Sequence, residues 1–468
     1  MAGLHKRWAL PKQESSIAPQ HVWSNADQDP VPPERWTWTG WTFTQYWLSD
    51  LVTVSTWSAA SSAYASGLSA TDTVLLTLVA AICNAIPTVL NGVVGADLHI
   101  PFPVAIRASY GSYFSYFCVA SRAILALFWF GIQSSYGGQC VTPIIVAIWP
   151  SYANLPNHLP GSAAITTQGM VSYVIYHIIQ APFLFIPTHK LQYMFYAKSA
   201  LVPPMALAMV IWITVKAGEE AIYLMSHLLS MALRGHGFPG GFSTLAVNIS
   251  DFSRFSKKPT STLWQLPMIP LFKVITGLFG IIAAGASKRV YGTILWSPLQ
   301  IIDEWQGSPG GRAAAFFCAT LWLIAQICAN VSANSIPFAN DMTTIWPKWF
   351  NIKRGVVLCM VLGGWALCPW IIIKSGATFL SFMGAYSIFM APIAGILCCD
   401  YWFIKRRKYD VPALYDPRGD LLLPNQATLV PNVVPGVVRP LDAVDSDLEA
   451  EVGVEKRTTD FFSKSKDS

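Results

Sequence analysis

Thr53-Val-Ser-Thr-Trp-Ser58 places four hydroxyl side chains in the middle of an apolar segment, residues 44–67, that is long enough to cross a membrane. A second interruption, Gly235-His-Gly-Phe-Pro-Gly-Gly241, falls in another such segment, residues 221–250. Gly and Pro break continuous helices, and backbone groups freed at membrane depth must face protein or a water-filled cavity. A simple kink in each helix is the alternative interpretation.

The composition indicates a polytopic membrane protein. Of 468 residues, 53% are hydrophobic and 12% are charged, whereas about 25% are charged in soluble domains. The interrupted segments are the first and sixth of ten, which are corresponding members of two five-helix halves. This match predicts an all-α inverted-repeat transporter whose substrate site lies between broken helices 1 and 6. The ten apolar segments are 44–67, 70–97, 113–148, 168–187, 193–215, 221–250, 265–286, 313–336, 355–373 and 376–403.

Basic residues give the orientation. Lys and Arg are concentrated in alternate connections, which include residues 1–43, Lys190 with Lys198, and 405–408, and they are sparse in the others. The positive-inside rule therefore places both termini in the cytoplasm. The prediction is a cytosolic segment 1–43, a transmembrane transporter domain 44–403 and a cytosolic, disordered tail 404–468.

The net charge of +6 is a topological signal, and nucleic-acid binding is not suggested. The nine cysteines form no CxxC or Cys/His spacing, so neither a metal site nor a disulfide framework is expected. No cofactor is expected, and no nucleophile–base pair or HExxH motif indicates an enzyme. The expected partners are a small substrate, a coupling ion and membrane lipid.

The third segment contains Trp129-Phe-Gly-Ile-Gln133. A helix places Trp129 and Gln133 on one face, one turn apart, with Gly131 removing bulk nearby. A flat aromatic ring beside an amide suits a planar heterocycle with N–H and C=O groups. The alternative is that Gln133 only bonds a neighbouring helix and Trp129 only packs.

The eighth segment ends with two asparagines, Asn330 and Asn334, spaced i, i+4 among small residues. One asparagine in a span usually joins helices. Two on one face, on a helix that also carries Gln326, favour a polar lining.

Several runs resemble the nucleobase:cation symporter-1 transporters. The resemblance covers about residues 24–418 and is nearest to the fungal uracil, allantoin and uridine permeases. It implies a leucine-transporter-like fold of five plus five helices and proton-coupled uptake across the plasma membrane. The matching runs are Pro32-Pro-Glu-Arg-Trp-Thr-Trp38, Ser55-Thr-Trp57, Trp129–Gln133, Asn330-Val-Ser-Ala-Asn-Ser335 and Thr244-Leu-Ala-Val-Asn-Ile-Ser-Asp-Phe-Ser-Arg254.

The resemblance also implies a substrate site. Trp129 would stack on the ring, and Gln133 and Asn334 would be the hydrogen-bonding amides. Phe242 would supply a second stacking aromatic, and Asn330 would support the site from one turn back. Ser55 and Thr56, in the first-helix break, complete the candidate set.

The coupling ion is expected to be a proton. Sodium binding in this fold would need oxygen ligands on the first and eighth spans, where Cys328 and Ala329 supply no side-chain oxygen. Asp50 is the first candidate for the proton-linked carboxylate, with Lys273 or Lys257 as counter-charge. An interfacial carboxylate in water is the alternative for Asp50. Asp251 is expected to close the cytoplasmic end of the sixth helix.

Relatives have twelve spans, and the resemblance stops after Asp416-Pro-Arg-Gly419. Transport by the ten-helix core is the leading hypothesis. A transport-inactive paralogue or ligand sensor of the same fold is the alternative, as is a thiamine or nicotinamide riboside transporter. Part of the substrate choice is expected at residues 134–136, which follow Gln133.

Overall fold

The computed structural model describes residues 9–12, 15–19, 22, 24–219 and 244–416. Within these ranges the chain is helical, and its only β-type pairing is an isolated bridge between Trp38 and Ser256. The helices are α1 Gly40–Leu51, α2 Val54–Ala65, α3 Ala70–Leu98, α4 Phe102–Ile148, α5 Thr167–Gln180, α6 Leu191–Ala217, α7 Leu245–Asn248, α8 Ser250–Ser253, α9 Gln265–Tyr291, α10 Pro298–Asp303, α11 Pro309–Ala329, α12 Ile336–Ile345, α13 Ile352–Val361, α14 Gly376–Cys399 and α15 Val411–Leu414.

The first predicted span is broken, as expected. α1 ends at Leu51, and α2 begins at Val54 after two intervening residues. Thr53 is extended and its hydroxyl accepts a hydrogen bond from the Thr56 N–H, so it caps the second helix. The break therefore has a local cause in the hydroxyl-rich sequence. The predicted sixth-span break at 235–241 lies outside the described residues.

Two other predicted spans are longer than expected. α4 starts at Phe102 rather than near 113, and Gly111, at φ 71° and ψ 167°, divides it into a short first part and a long second part. Only glycine adopts this conformation without strain. The eighth span continues from α11 through a π-helical turn, Asn330–Ser335, into α12.

Six helical segments of the described ranges are long and apolar enough to cross a membrane. The first, fourth and ninth predicted spans instead consist of shorter helices separated by turns. The six are Ala70–Leu98, Phe102–Ile148, Leu191–Ala217, Pro259–Tyr291, Pro309–Ile345 and Gly376–Ile404.

α4 lies at the centre of the molecule and packs against α5, α11 and α12. α9 packs against α1, α2, α3 and α6 on the other side. Large rings such as Trp47, Trp57 and Trp322 fill the interior and are fully buried. Burial of such rings is the largest single source of packing energy in a helical core.

An N-terminal strap, residues 24–38, crosses one end of this bundle. Gln28 bonds the Asn340 carbonyl and the Thr344 hydroxyl, and the Val31 N–H donates to His99 O. Tyr415, beyond the last long helix, donates its hydroxyl to Gln28 O at 2.6 Å. The strap thus connects the ends of several helices that are far apart in sequence.

Candidate functional site

The first-helix break and α4 meet through one side-chain hydrogen bond. Gln133 Nε2 donates to Ser55 Oγ at 3.0 Å, and both residues are buried. Ser55 Oγ also lies 3.0 Å from Thr53 Oγ1, which in turn lies 3.0 Å from Thr56 Oγ1. Gln133 Oε1 is buried and has no hydrogen-bond partner among the described residues. The break therefore positions the Gln133 carboxamide, whose Oε1 can still accept a hydrogen bond.

Trp129 is half-buried one turn before Gln133. Its indole makes edge-on contacts with Phe379, Phe382 and Tyr386 of α14, with ring centroids 5.8–6.3 Å apart. Trp129 and Gln133 share a face of α4, but they contact different elements, α14 and α2. The candidate second aromatic, Phe242, lies outside the described residues.

The two asparagines lie in the π-helical turn between α11 and α12. Asn330 Nδ2 is within 3.2 Å of the Phe130 carbonyl, Ser134 Oγ and Gln180 Oε1. Asn334 Nδ2 donates to Asn330 Oδ1 at 3.0 Å. Asn330 therefore joins the turn to α4 and α5, and it holds the Asn334 carboxamide one turn further along. Ser134, beside Gln133, accepts a hydrogen bond from Asn330 Nδ2.

Gly131 has a different role from the one expected. A Cβ atom at this position would lie 2.5 Å from the Gly363 carbonyl oxygen and 2.5 Å from Pro369. The missing side chain permits close packing of α4 against the segment that follows α13. The expectation that Gly131 makes room near the ring-binding face is wrong, because its neighbours are protein atoms.

Sequence reasoning missed Lys198, which was counted among the basic residues of a connection. It is fully buried in α6, and Nζ donates to the Ser49 carbonyl of α1 and to the Ala325 carbonyl of α11. Asp50 and Lys198 interact electrostatically. Lys273, the counter-charge expected from the sequence, is half-buried in α9. A lysine well inside an apolar 27-residue helix, unlike Lys216 in its last turn, was the signal that could have identified Lys198.

Asp251 has a capping position at the end of the sixth segment. Its Oδ1 accepts the Phe102 N–H at 3.1 Å, and its Oδ2 accepts Asn248 Nδ2 at 3.2 Å. It thus binds the start of α4, whose first N–H groups lack helical partners. Lys257 is exposed in the following turn, where its N–H donates to Trp38 O.

A buried ion pair lies near Asp251. Arg122 of α4 pairs with Asp341 of α12 and also donates to the Pro337 carbonyl. Asp251 and Arg122 attract each other electrostatically. From the sequence, Arg122 lies within the predicted third span and Asp341 lies just beyond the eighth, and their pairing cannot be predicted because it joins helices that are far apart in the chain.

Among the described residues, no cluster of His, Cys, Asp or Glu is arranged to hold a metal ion. The candidate site consists of amides, hydroxyls and rings around the break in the first helix. A sequence model of permeases for cytosine and purines, uracil, thiamine and allantoin matches residues 30–421. The chain belongs to this family. Its members are membrane permeases.

Individual relatives agree with the family match. An uncharacterized permease of Schizosaccharomyces pombe is 35% identical over 419 residues, which cover 88% of this chain and 74% of that protein. The allantoin permease of Saccharomyces cerevisiae is 32% identical over 403 residues, covering 82% of this chain and 62% of that permease. The chain thus matches less than two thirds of the allantoin permease's length.

Among solved structures, the fold is similar to that of Mhp1, a nucleobase-cation-symport-1 family transporter, in a closed conformation with bromovinylhydantoin bound. The TM-score is 0.63 at 22% identity, and the match covers 88% of this chain and 86% of that one. The expected leucine-transporter-like, five-plus-five helical fold is confirmed.

Proposed function

We propose that the chain is a secondary active transporter that takes up a small planar heterocycle, such as uracil, allantoin or uridine, together with protons. In this proposal it works by alternating access at the plasma membrane, with both termini in the cytoplasm, and it catalyses no reaction. Family membership supports transport of this ligand class. The observation that carries the proposed site is the Gln133 carboxamide, fixed by Ser55 at the helix break.

The chemistry of this carboxamide fits a ring that carries adjacent N–H and C=O groups. A buried amide oxygen without a partner is costly, and a ligand or an ordered water can supply the missing hydrogen bond. The bond to Ser55 fixes the side chain, so Gln133 Oε1 is positioned before the ligand arrives. Trp129 would supply the stacking face, Phe242 the second aromatic expected from the resemblance, and Asn334 the second amide. Thr56 and Asn330 would hold these groups in place.

Uptake by whole cells tests the proposal. The chain would be expressed in fungal cells that lack their own transporters for these compounds, and labelled uracil, allantoin and uridine would be offered separately. At least one should accumulate against its gradient, and an uncoupler should abolish the accumulation. Unlabelled thiamine and nicotinamide riboside, added as competitors, separate the alternative substrates. Binding without accumulation would favour the ligand-sensor alternative.

Replacement of the amide tests the site. Gln133→Ala should weaken apparent affinity by about 5- to 150-fold, which corresponds to about 1–3 kcal/mol for an unpaired buried group. Surface expression should remain. Gln192→Ala, the same replacement near the start of α6, is the matched control and should transport normally. Unchanged affinity in Gln133→Ala would show that the site lies elsewhere.

Lys198 supports proton coupling. The carbonyl oxygens of Ser49 and Ala325 are ligands of the kind that a hard cation prefers, and here the lysine ammonium occupies the position between them. A protonated amine carries its own positive charge to this position, so a sodium ion is not needed. We therefore assign proton linkage to Asp50 together with Lys198. Asp251, with Arg122, would close the cytoplasmic end.

A further inference from the structure

We propose that a second binding site, for the same class of neutral heterocycle, lies in a cavity of about 390 Å³ on the other face of α4. The cavity is bounded by α4, the start of α5, α10 and the segment 369–374. In the predicted topology these elements meet at the extracellular side. The inference rests on the proposed function for its ligand class and its orientation.

Helical geometry separates this cavity from the central site. Ser135, Gly138, Gln139 and Thr142 line it, at the spacing i, i+3, i+4 and i+7 of a single helix face. At about 100° per residue, that face is roughly opposite the one that carries Gln133. Substitutions in the cavity can therefore leave the Gln133–Ser55 contact untouched.

Gln139 indicates that the cavity penetrates the protein. It lies nine residues before the end of α4 at Ile148, which is about 13 Å along a helix axis. Its side chain is nevertheless exposed. A carboxamide exposed at that depth would be costly against lipid, so the cavity has to supply a polar surrounding.

Two further carboxamides are fixed in complementary ways. Gln168 Nε2 donates to the Tyr152 carbonyl at 2.8 Å, which leaves its Oε1 available as an acceptor. Gln300 Oε1 accepts the Ser297 N–H at 3.0 Å, which leaves its NH₂ group available as a donor. An anchored acceptor and an anchored donor lining one cavity match a ligand that carries both C=O and N–H groups.

The remaining lining favours a flat and uncharged ligand. Asp303 and Lys374 contribute one negative and one positive charge, so neither sign dominates. Trp296 and Trp370 line the same space, and the Trp370 indole is held by its bond to the Ala163 carbonyl at 3.0 Å. The volume lies in the range of about 300–1,000 Å³ that is typical of small-molecule sites. Cyclic amides and ureides combine these properties.

Equilibrium binding to the purified full-length chain in lipid nanodiscs tests the inference. Tritiated uracil, allantoin and uridine are the probes, and any that binds should saturate at two molecules per chain. Gln139→Leu should remove the outer site or weaken it about tenfold, and Gln133→Ala should affect only the central one. Gln139→Asn, which keeps the carboxamide, is the matched control and should retain both sites.

A variant modified after folding avoids any defect in biogenesis. Ile165→Cys, which leaves the carboxamides of the cavity in place, should bind two ligands before labelling and lose one of them after labelling from outside with a bulky impermeant maleimide. The unmutated chain, treated in parallel, corrects for labelling of exposed cysteines such as Cys368. One molecule per chain, lost in Gln133→Ala and kept in Gln139→Leu, would overturn the inference and leave the proposed function intact. Two molecules that are both insensitive to changes at Gln139 would also overturn it. Binding of none of the three probes would contradict the proposed function itself.

Discussion

Single residues in this chain often make helix contacts that the sequence alone did not indicate. Gly131 is the clearest case, since its α-carbon faces the backbone of Gly363 and the ring of Pro369. Lys198 is a second case, because a residue that was counted as a topological charge is buried between α1 and α11. Helical spacing gives the face on which a residue lies. It does not give the element that covers that face.

Gly131→Ala should destabilise the protein by about 1–3 kcal/mol, as expected for overpacking. The added methyl group would lie 2.5 Å from a backbone oxygen that cannot easily move. Thermal unfolding in detergent measures the effect. Gly384→Ala in α14 is the control, since a Cβ there meets nothing within 4 Å. Equal stability of the two variants would contradict the close packing.

Lys198→Met should remove the dependence of uptake on external pH and on uncouplers, with or without a loss of maximal rate. The methionine retains bulk but cannot carry the positive charge to the Ser49 and Ala325 carbonyls. Uptake measured from pH 5 to 8 is the readout, with Lys190→Met, exposed just before α6, as control. A pH profile that survives in Lys198→Met would exclude this lysine from coupling.

At the scale of elements, the break between α1 and α2 depends on a capping threonine, and a serine two residues later binds Gln133. Thr53 caps α2 while its hydroxyl also contacts Ser55, which binds Gln133. The start of α2 and the proposed ligand-binding group are therefore built from the same few residues. Replacement of Thr53 should therefore also alter the position of Ser55 and Gln133.

Thr53→Ala should cost about 0.5–2 kcal/mol of stability, which is the usual value of an N-cap, and should also raise the KM for uptake. Thr39→Ala is the matched control, because Thr39 caps α1 in the same way but contacts no proposed site residue. It should lower stability alone. The prediction fails if both variants transport with normal KM.

The sequence predicted some elements better than others for physical reasons. The first break was predictable because hydroxyl side chains in an apolar segment compete for backbone hydrogen bonds. The π-helical turn at Asn330–Ser335 was not, since small residues and asparagines are compatible with several helix types. The early start of α4 was also not predicted. Gly111 divides this helix through its positive φ, and that backbone conformation cannot be read from the sequence. In the proposed central site, the Ser55–Gln133 contact could not be predicted without the folded structure, because the two residues are 78 positions apart in the sequence.

At the scale of the whole molecule, the N-terminal strap joins the ends of helices from both halves. His99 is its central contact. Its ring stacks on Trp36 with centroids 3.7 Å apart, and its Nδ1 lies 2.8 Å from the Arg254 carbonyl. Burial lowers the pKa of the His99 imidazole, so the packed strap favours the neutral ring.

Acidification should therefore loosen the strap. The unfolded chain binds a proton near pH 6.5, whereas the folded chain does so only at lower pH, so stability falls as the pH drops below about 6.5. Thermal unfolding at pH 7.5 and 5.5 should show this loss. The loss should be smaller in His99→Asn, because the asparagine side chain does not take up a proton in this pH range. Asparagine also tolerates the left-handed backbone at φ 56°. The same loss in both proteins would contradict the role of His99.

The Arg122–Asp341 pair has a consequence for synthesis. The two residues are 219 positions apart, and ribosomes add about 5–20 residues per second. Arg122 therefore enters the bilayer about 10–45 s before its carboxylate partner is made, and an unpaired arginine at that depth is expensive. A nascent chain that stalls before residue 341 lacks the carboxylate that bonds Arg122, and only the electrostatic attraction of Asp251 offsets the charge. We therefore expect incomplete copies to be recognised by membrane quality control during the interval between synthesis of the two residues.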